Sequence, residues 1–417
     1  MRILWLGHNL AYPPKGGPLQ RNYNLLREAA REHEVHALVF DQPASRPHGV
    51  TPQDCVEALS KFCASVEWNP LPTDSFGVGR YWRAINGLVA GEPYEFRWLR
   101  SNEMVARLQR LVGRLRFDVV HADTLGLSPY VPLIPHAGTV LNHHDIESAL
   151  VRRRAEHEQN FLWRKFWLQE SANLLSAEQR WCPTFDVNVV VSEEEGTLVK
   201  SSCEDSAICV VPNGVDVQYF TPRADPGGAR LLFCGRLDQL ANRGAITYFF
   251  QSIWPELTGK VEHLEIDVVG KNPPSWLLEL SNRDARVHVP GFVDDVRPYF
   301  QNATVFVCPI TDGGGTRLKI LDALAMGMPI VSTTFAASGL ALRDRQHLLL
   351  ADSPGQFSDQ TLKLLRNPDL RNAVSREGYR VVKDQYSWEV IGKSLVQAYV
   401  MARSRSLDSH LPSARRS

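Results

Sequence analysis

The hydrophobic positions of this chain fall into short β-branched runs separated by stretches of helical period. Residues 2–7, 34–40, 118–122, 139–143 and 187–192 read as strands, and a further apolar run follows at 208–213. Between them helices are expected from about Pro18, over 52–64, 81–89 and 102–115, and along 147–181. The segment FTPRADPGGA at 220–229 breaks the pattern with Pro and Gly, after which a strand over Arg230–Gly235 restarts it. Strands and helices taking turns imply mostly parallel sheets. The expected organisation is an α/β domain over 1–219, a linker over 220–229 and a second α/β domain over 230–385, then a helix over 386–403 and a disordered Ser- and Arg-rich tail over 404–417.

The densest chemistry lies in TVFVCPITDGGGTRLKILDALAMGMPIVSTTFAASGL, residues 304–340. A strand over 304–310 runs into Gly313, Gly314 and Gly315, and a helical period through Leu318, Leu321, Leu324 and Ala325 follows from about Thr316. A second strand over 329–333 completes a β-α-β unit with its glycines at the carboxyl end of the first strand, where open α/β sheets bind ligands. Bare backbone N–H groups and a helix N-terminus at one spot suit a phosphate, and Arg317 and Lys319 add positive charge. A glycine turn with solvent-facing charges explains the same spacing.

Length and composition narrow the classes. A chain of 417 residues accommodates two α/β domains, and 44% hydrophobic residues is ordinary for a globular protein. Formal net charge is zero, so no global field draws the chain to nucleic acid or anionic lipid. Seven cysteines without a Cys-x-x-Cys pair argue against a disulfide framework or a structural zinc site, and a reducing cytoplasm is the simplest home. Met1–Leu6 enters a strand without the basic start of a signal peptide, and no apolar run approaches a membrane span.

Polar groups gather at the strand ends of the first half. His121 and Asp123 close one strand, and HHDIES, with His144, Asp145 and Glu147, follows another. Asp145 reads as a helix N-cap with an acidic first turn. The stretch 147–181 carries RRR at 152–154 and FLWRKFW at 161–167. Basic and aromatic residues mixed on a helix suit a membrane surface, but a core face through Phe161, Leu162 and Phe166 with solvated charges is preferred.

The run GGGTRLKILDALAMGMPIVST, with PNGVD at 212–216, CGRLD at 234–238 and PGFVDDVRPYF at 290–300, resembles the retaining glycosyltransferases of family 4, of the group 1 type. The blocks also stand in the family's order, up to about residue 400. The resemblance implies an α/β GT-B fold, with two Rossmann-like domains facing each other across a cleft and a C-terminal helix crossing back to the N-terminal domain. It implies transfer of a sugar from a nucleotide diphosphate sugar to a glycan, lipid-linked or small-molecule acceptor, in polysaccharide or glycoconjugate biosynthesis. No cofactor or metal is obligatory by this reading, and no nucleic acid is a partner. The expected location is cytoplasmic, with a peripheral place on the inner face of the cell membrane left open.

By the same resemblance, Gly16 and Gly17 form the first-domain loop near the donor, with Lys15 and Arg21 as charged neighbours, and His121 or Asp123 supplies the polar group beside the reacting sugar. Arg236 becomes the leading diphosphate contact. The lysine usual a few residues on is absent; Ala241 and Asn242 stand there, and Asn242 or Arg243 is left to substitute. Of two acids at a fixed spacing, Asp322 keeps the ribose-binding second, while the first falls on Gly314. Gly291, Phe292 and Val293 match the loop beside the base, and Gly313, Gly314, Gly315, Thr316, Arg317 and Lys319 complete the donor site. Asp294 and Asp295 resemble a metal-holding pair, but capping of a helix from near Val296 explains them better. A non-hydrolysing nucleotide-sugar epimerase and a nucleotide-sugar-binding protein without catalysis are the rival readings.

Overall fold

The computed structural model describes residues 1–417 apart from 44–45, 47–48, 72–90, 314–316 and 410–417. The helix expected over 81–89, and Gly314, Gly315 and Thr316 of the expected donor site, therefore lie outside the described residues. The chain divides into two units, Met1–Pro212 with Ile391–Ser417, and Asn213–Val390.

The first unit is built on seven parallel strands: β1 Arg2–Gly7, β2 Glu34–Asp41, β3 Ser65–Pro70, β4 Val119–Ala122, β5 Gly138–Asn142, β6 Val187–Val190 and β7 Ile208–Val210. Their order is β3-β2-β1-β4-β5-β6-β7. The sheet reverses its direction of growth between β1 and β4, so a crevice opens past their carboxyl ends. β3 escapes the sequence pattern because only Asn69 of its six residues is buried, which leaves no apolar alternation to read.

Local signals set several boundaries. A capping box between Thr51 and Asp54 starts the helix Pro52–Leu59, which ends five residues before the expected limit at 64. The expected helix over 147–181 is two helices, Glu147–His157 and Phe161–Trp181, because Asn160 accepts from the N–H groups of Leu162 and Trp163 and begins a new helix. Ile146, not Asp145, occupies the cap position of the first of these, and no side chain caps it. The expected Asp145 cap is thus corrected.

The last helix, Trp388–Ser409, returns to the first unit from Ile391 onward. Leu395, Ala398, Tyr399 and Ala402 are buried on it. Its approach is close: a Cβ on Gly138 at the start of β5 would stand 2.6 Å from the Ala402 carbonyl carbon, and one on Gly392 would stand 2.5 Å from Glu28. Residues 404–409, expected as disordered tail, are helical.

The second unit carries β8 Arg230–Cys234, β9 Glu265–Val269, β10 Val287–Gly291, β11 Val305–Cys308, β12 Ile330–Ser332 and β13 Leu349–Leu350, all parallel, in the order β10-β9-β8-β11-β12-β13. Here the reversal falls between β8 and β11. Leu231, Phe233, Ile266, Val268 and Phe306 fill its core, each contributing about 1.5–3 kcal/mol through burial. The segment 220–229, expected as a linker, belongs to this unit: Phe220 joins its core, the Arg223 N–H donates to the Met326 carbonyl, and Thr304 Oγ1 donates to Gly227 O. The chain passes between units at Pro212–Asn213 instead.

Candidate functional site

Each unit places a polar constellation at its own sheet reversal. In the first, His8 follows β1 and Asp123 follows β4, and the two meet at 2.6 Å through His8 Nδ1. Asp123 is wholly buried. It also accepts from Asn22 Nδ2 at 2.6 Å, His144 Nε2 at 3.0 Å and Asn142 Nδ2 at 3.3 Å. Burial opposes the charge, but the His144 and His8 rings outweigh it and hold the carboxyl well below the usual carboxylate range. Burial likewise opposes the His8 cation, and Asp123 outweighs it, so that imidazole is raised.

His8, Asp123 and His144 bring one ligand atom each within 4.8 Å of one another, a donor set of metal-binding type. Four donors already occupy the carboxylate, however, and two of them are amide N–H groups that would point at a cation. A hydrogen-bond hub that orients two imidazoles accounts for the arrangement. With Nε2 held by Asp123, the Nδ1 of His144 is the ring nitrogen left for other chemistry.

Beside the hub, Thr124 Oγ1 lies 2.7 Å from Glu95 Oε1 and 3.0 Å from Glu147 Oε1. One hydroxyl proton cannot serve two carboxylates, and burial together with the Glu95 charge raises Glu147 well above its ordinary value.

Two expected residues of this unit serve elsewhere. His121 is 0% exposed, stacked on Trp5 at 3.8 Å, with Nδ1 3.2 Å from the Tyr399 hydroxyl. Burial lowers it to about 3, so it is a neutral core residue and not a group beside a reacting sugar. His121 lies within β4, whereas Asp123 follows its end, where His8 after β1 and His144 after β5 reach its carboxylate. Arg21, expected as a charged neighbour of the donor, is buried and donates to Val211 O, Pro212 O and Asn142 Oδ1. Gly16 caps the helix Gly17–Ala29 at φ +94°, with open space where a Cβ would stand; its backbone conformation, not crowding, calls for glycine. Lys15 is exposed beside it.

In the second unit, the ends of β8 and β9 are pressed together: a Cβ on Gly270 would lie 1.7 Å from Gly235 O. Arg236 leaves that turn with its guanidinium exposed and paired to Asp238 through 3.2 and 2.9 Å contacts. The hydrogen bond from Arg236 is the main reason that Asp238 is lowered to about 2. Asn242 donates to Arg236 O at 2.7 Å and accepts from Lys319 Nζ at 2.6 Å. The ammonium of Lys319 thus reaches the turn from the helix Leu318–Ala325. Burial lowers it to about 8.

Asn242, at the place where the family's lysine is expected, thus joins Lys319 to the Arg236 backbone. Arg243 lies on the exposed face of the helix Leu240–Tyr248. Gly313, at φ +130°, brings Ala241 and Arg317 together: a Cβ there would meet Ala241 Cβ at 2.9 Å and Arg317 Nη2 at 3.0 Å. Helical structure begins at Leu318, with Arg317 at the cap position, slightly later than the expected start near Thr316. Asp322 sits one turn into this helix, where its charge is felt by Lys319.

On the far side of β9, Gly291 at φ +77° accepts from the Gly270 N–H at 2.9 Å. Phe292 next to it is 58% exposed, while Val293 packs on the core. Val296 holds the cap position of the helix Arg297–Asn302 and no side chain caps it, so the expected capping by Asp294 and Asp295 is corrected; Asp295 instead pairs with Arg297, accepting its N–H at 3.0 Å and its guanidinium. Sequence reasoning missed His8, Asn22 and Asn142. His8 was findable, because the residue after the first strand lies at the same reversal as the residue after the fourth.

The Glycosyltransferase Family 4 model matches residues 15–219, and the Glycosyl transferases group 1 model matches residues 228–367. Phosphatidyl-myo-inositol mannosyltransferase of Mycobacterium tuberculosis is 26% identical over 203 residues, covering 45% of this chain and 53% of that protein. The chain spans about half the length of the curated relatives it matches. Among solved structures, sucrose-phosphate synthase from Thermosynechococcus elongatus superposes with a TM-score of 0.70 at 16% identity, covering 99% of this chain and 100% of the other. HepE of Anabaena in complex with UDP gives 0.66 at 13% identity, covering 96% and 100%. At these identities the structural likeness establishes the fold.

Proposed function

We propose, from the premise that this chain belongs to the family 4, group 1 glycosyl transferases and has the α/β GT-B fold, that it transfers a sugar from a nucleoside diphosphate sugar to a hydroxyl of a glycoconjugate acceptor, with retention at the anomeric carbon. The observation that carries this reading is the turn after β8, where Arg236, the Gly235 backbone and the Asn242–Lys319 pair converge at the sheet reversal.

In such a transfer the bond between the anomeric carbon and the diphosphate breaks, and its electron pair goes to the phosphate oxygen. The acceptor oxygen forms the new bond and gives up its proton. Fixed positive groups at the leaving oxygen are the largest help a protein can supply. Arg236, Lys319 and the start of the helix at Leu318 would hold the diphosphate, Asp322 the ribose hydroxyls, and the loop of Phe292 and Val293 the base. Gly16 and Gly17 would serve the donor, and the Asp123 hub, with His8 and His144, would stand beside the reacting sugar and the acceptor. The mycobacterial phosphatidyl-myo-inositol mannosyltransferase supports a lipid-linked acceptor, and the UDP complex of HepE supports a uridine diphosphate sugar as the first donor to try. A cytoplasmic place fits donors of this kind; among the described residues no helix is long and apolar enough to cross a membrane.

The test is a panel of UDP-, GDP-, dTDP- and ADP-sugars, scored for thermal stabilisation and for slow release of the nucleoside diphosphate. Stabilisation by one base series with release is expected. Stabilisation without release, with candidate acceptors present, would favour a binding protein without turnover, and no stabilisation by any donor would overturn the site.

A further inference from the structure

The paired helices Glu147–His157 and Phe161–Trp181 carry a surface that neither the fold nor the proposed reaction uses. The core face expected through Phe161, Leu162 and Phe166 is not there: Phe161 is 64% exposed and Leu162 74%. Residues 161–165 are all exposed, as are Leu150 and Leu168. Burial on the second helix begins only at Glu170, and there it takes in polar groups such as Asn173 and Glu178. The first two turns of this helix therefore show large apolar side chains to solvent, against the usual economy of burial.

Exposed Trp163 joins half-buried Phe166 and Trp167 in an aromatic cluster. Trp163 lies 5.6 Å from Phe166 and 6.3 Å from Trp167, centroid to centroid, and Phe166 lies 4.8 Å from Trp167. Cations lie over the rings: the Arg154 guanidinium is 3.8 Å from the Trp167 centroid and Lys165 Nζ is 4.5 Å from that of Phe161. Residues 150–168 carry five basic side chains, Arg152, Arg153, Arg154, Arg164 and Lys165, against two acidic ones, Glu156 and Glu158; Arg153 is half-buried and feels Glu195, and the other four basic residues are exposed, a local positive excess on a chain of zero formal net charge.

We infer that this helical pair is a docking surface for an anionic lipid bilayer. Aromatic rings with apolar bodies seat at the depth of the headgroups, and Arg and Lys beside them meet anionic phosphates. A second copy of the chain fits less well, since a two-fold contact would set the Arg152–Arg154 run and Lys165 against their own like charges. The inference rests on this surface alone, independently of the proposed reaction.

Sedimentation of the full chain with vesicles tests it directly, using phosphatidylcholine alone and phosphatidylcholine mixed with phosphatidylglycerol. Binding to the anionic vesicles, weakened by salt and accompanied by a blue shift of tryptophan emission, is the expected result. The double variant Phe161→Ser, Leu162→Ser should lose at least about tenfold in binding, and Arg164→Gln about fivefold. Both replace exposed side chains, so melting temperatures should stay near that of the parent; if the double variant is unstable, Arg164→Gln and Lys165→Gln carry the comparison. No binding, equal binding to both vesicle types, or a dimer that Phe161→Ser dissociates without any vesicle binding would each overturn the assignment.

Discussion

Lys319 shows how much one side chain's surroundings can change its chemistry. Burial lowers its ammonium to about 8, and its bond to Asn242 holds it at the turn of Arg236. A lysine with a lowered value loses its charge as pH rises through that value, where an ordinary lysine stays charged to about 10.4. If this ammonium grips a diphosphate, UDP affinity falls by up to about tenfold from about pH 7 to about pH 9. Titration calorimetry of the parent and of Lys319→Met would show it: the variant should bind more weakly and lose the pH dependence. Equal affinity at both pH values in the parent would remove Lys319 from the site. The same scale shows where a residue's type misleads, since His121 has the chemistry of a catalyst and the environment of a core residue.

Among elements, close approach of backbone at strand ends shapes the second unit's turn. Gly270→Ala would force a methyl group to within 1.7 Å of Gly235 O, so β9 or the turn must move. Overpacking of this kind costs about 1–3 kcal/mol and would displace Arg236 with it. Gly244→Ala is the matched control, since a Cβ there meets nothing within 4 Å on the helix Leu240–Tyr248. It should stabilise by about 0.5–1 kcal/mol. Chemical denaturation of the two variants is expected to shift the second unit's midpoint in opposite directions; a Gly270→Ala midpoint equal to the parent's would show that the turn is softer than its geometry implies. Elements with a clear apolar period, such as β1 and β11, are legible from the chain. β3 and the break at Asn160 are not, because a half-exposed strand without alternation and a single capping side chain leave little trace in hydrophobicity.

For the whole molecule, the first unit depends on the chain's return at Ile391. Leu395, Ala398, Tyr399 and Ala402 are buried in it. Deletion from Ile391 onward should leave the segment 213–390 resistant to limited proteolysis while the segment 1–212 is cleaved; equal resistance of both would show that the helix is dispensable. The alternation of strands and helices and the ordered blocks that mark the family were legible in the amino-acid order, because each depends on residues close together in the chain. Tertiary structure alone decided which polar residues share a site. Asp123 gathers partners from positions 8, 22, 142 and 144, and Lys319 reaches the turn at 235–242, through strand order and helix placement that join distant residues. It also decided which face of Phe161–Trp181 is buried, since the helical period of a sequence shows that a stripe exists but not whether anything covers it.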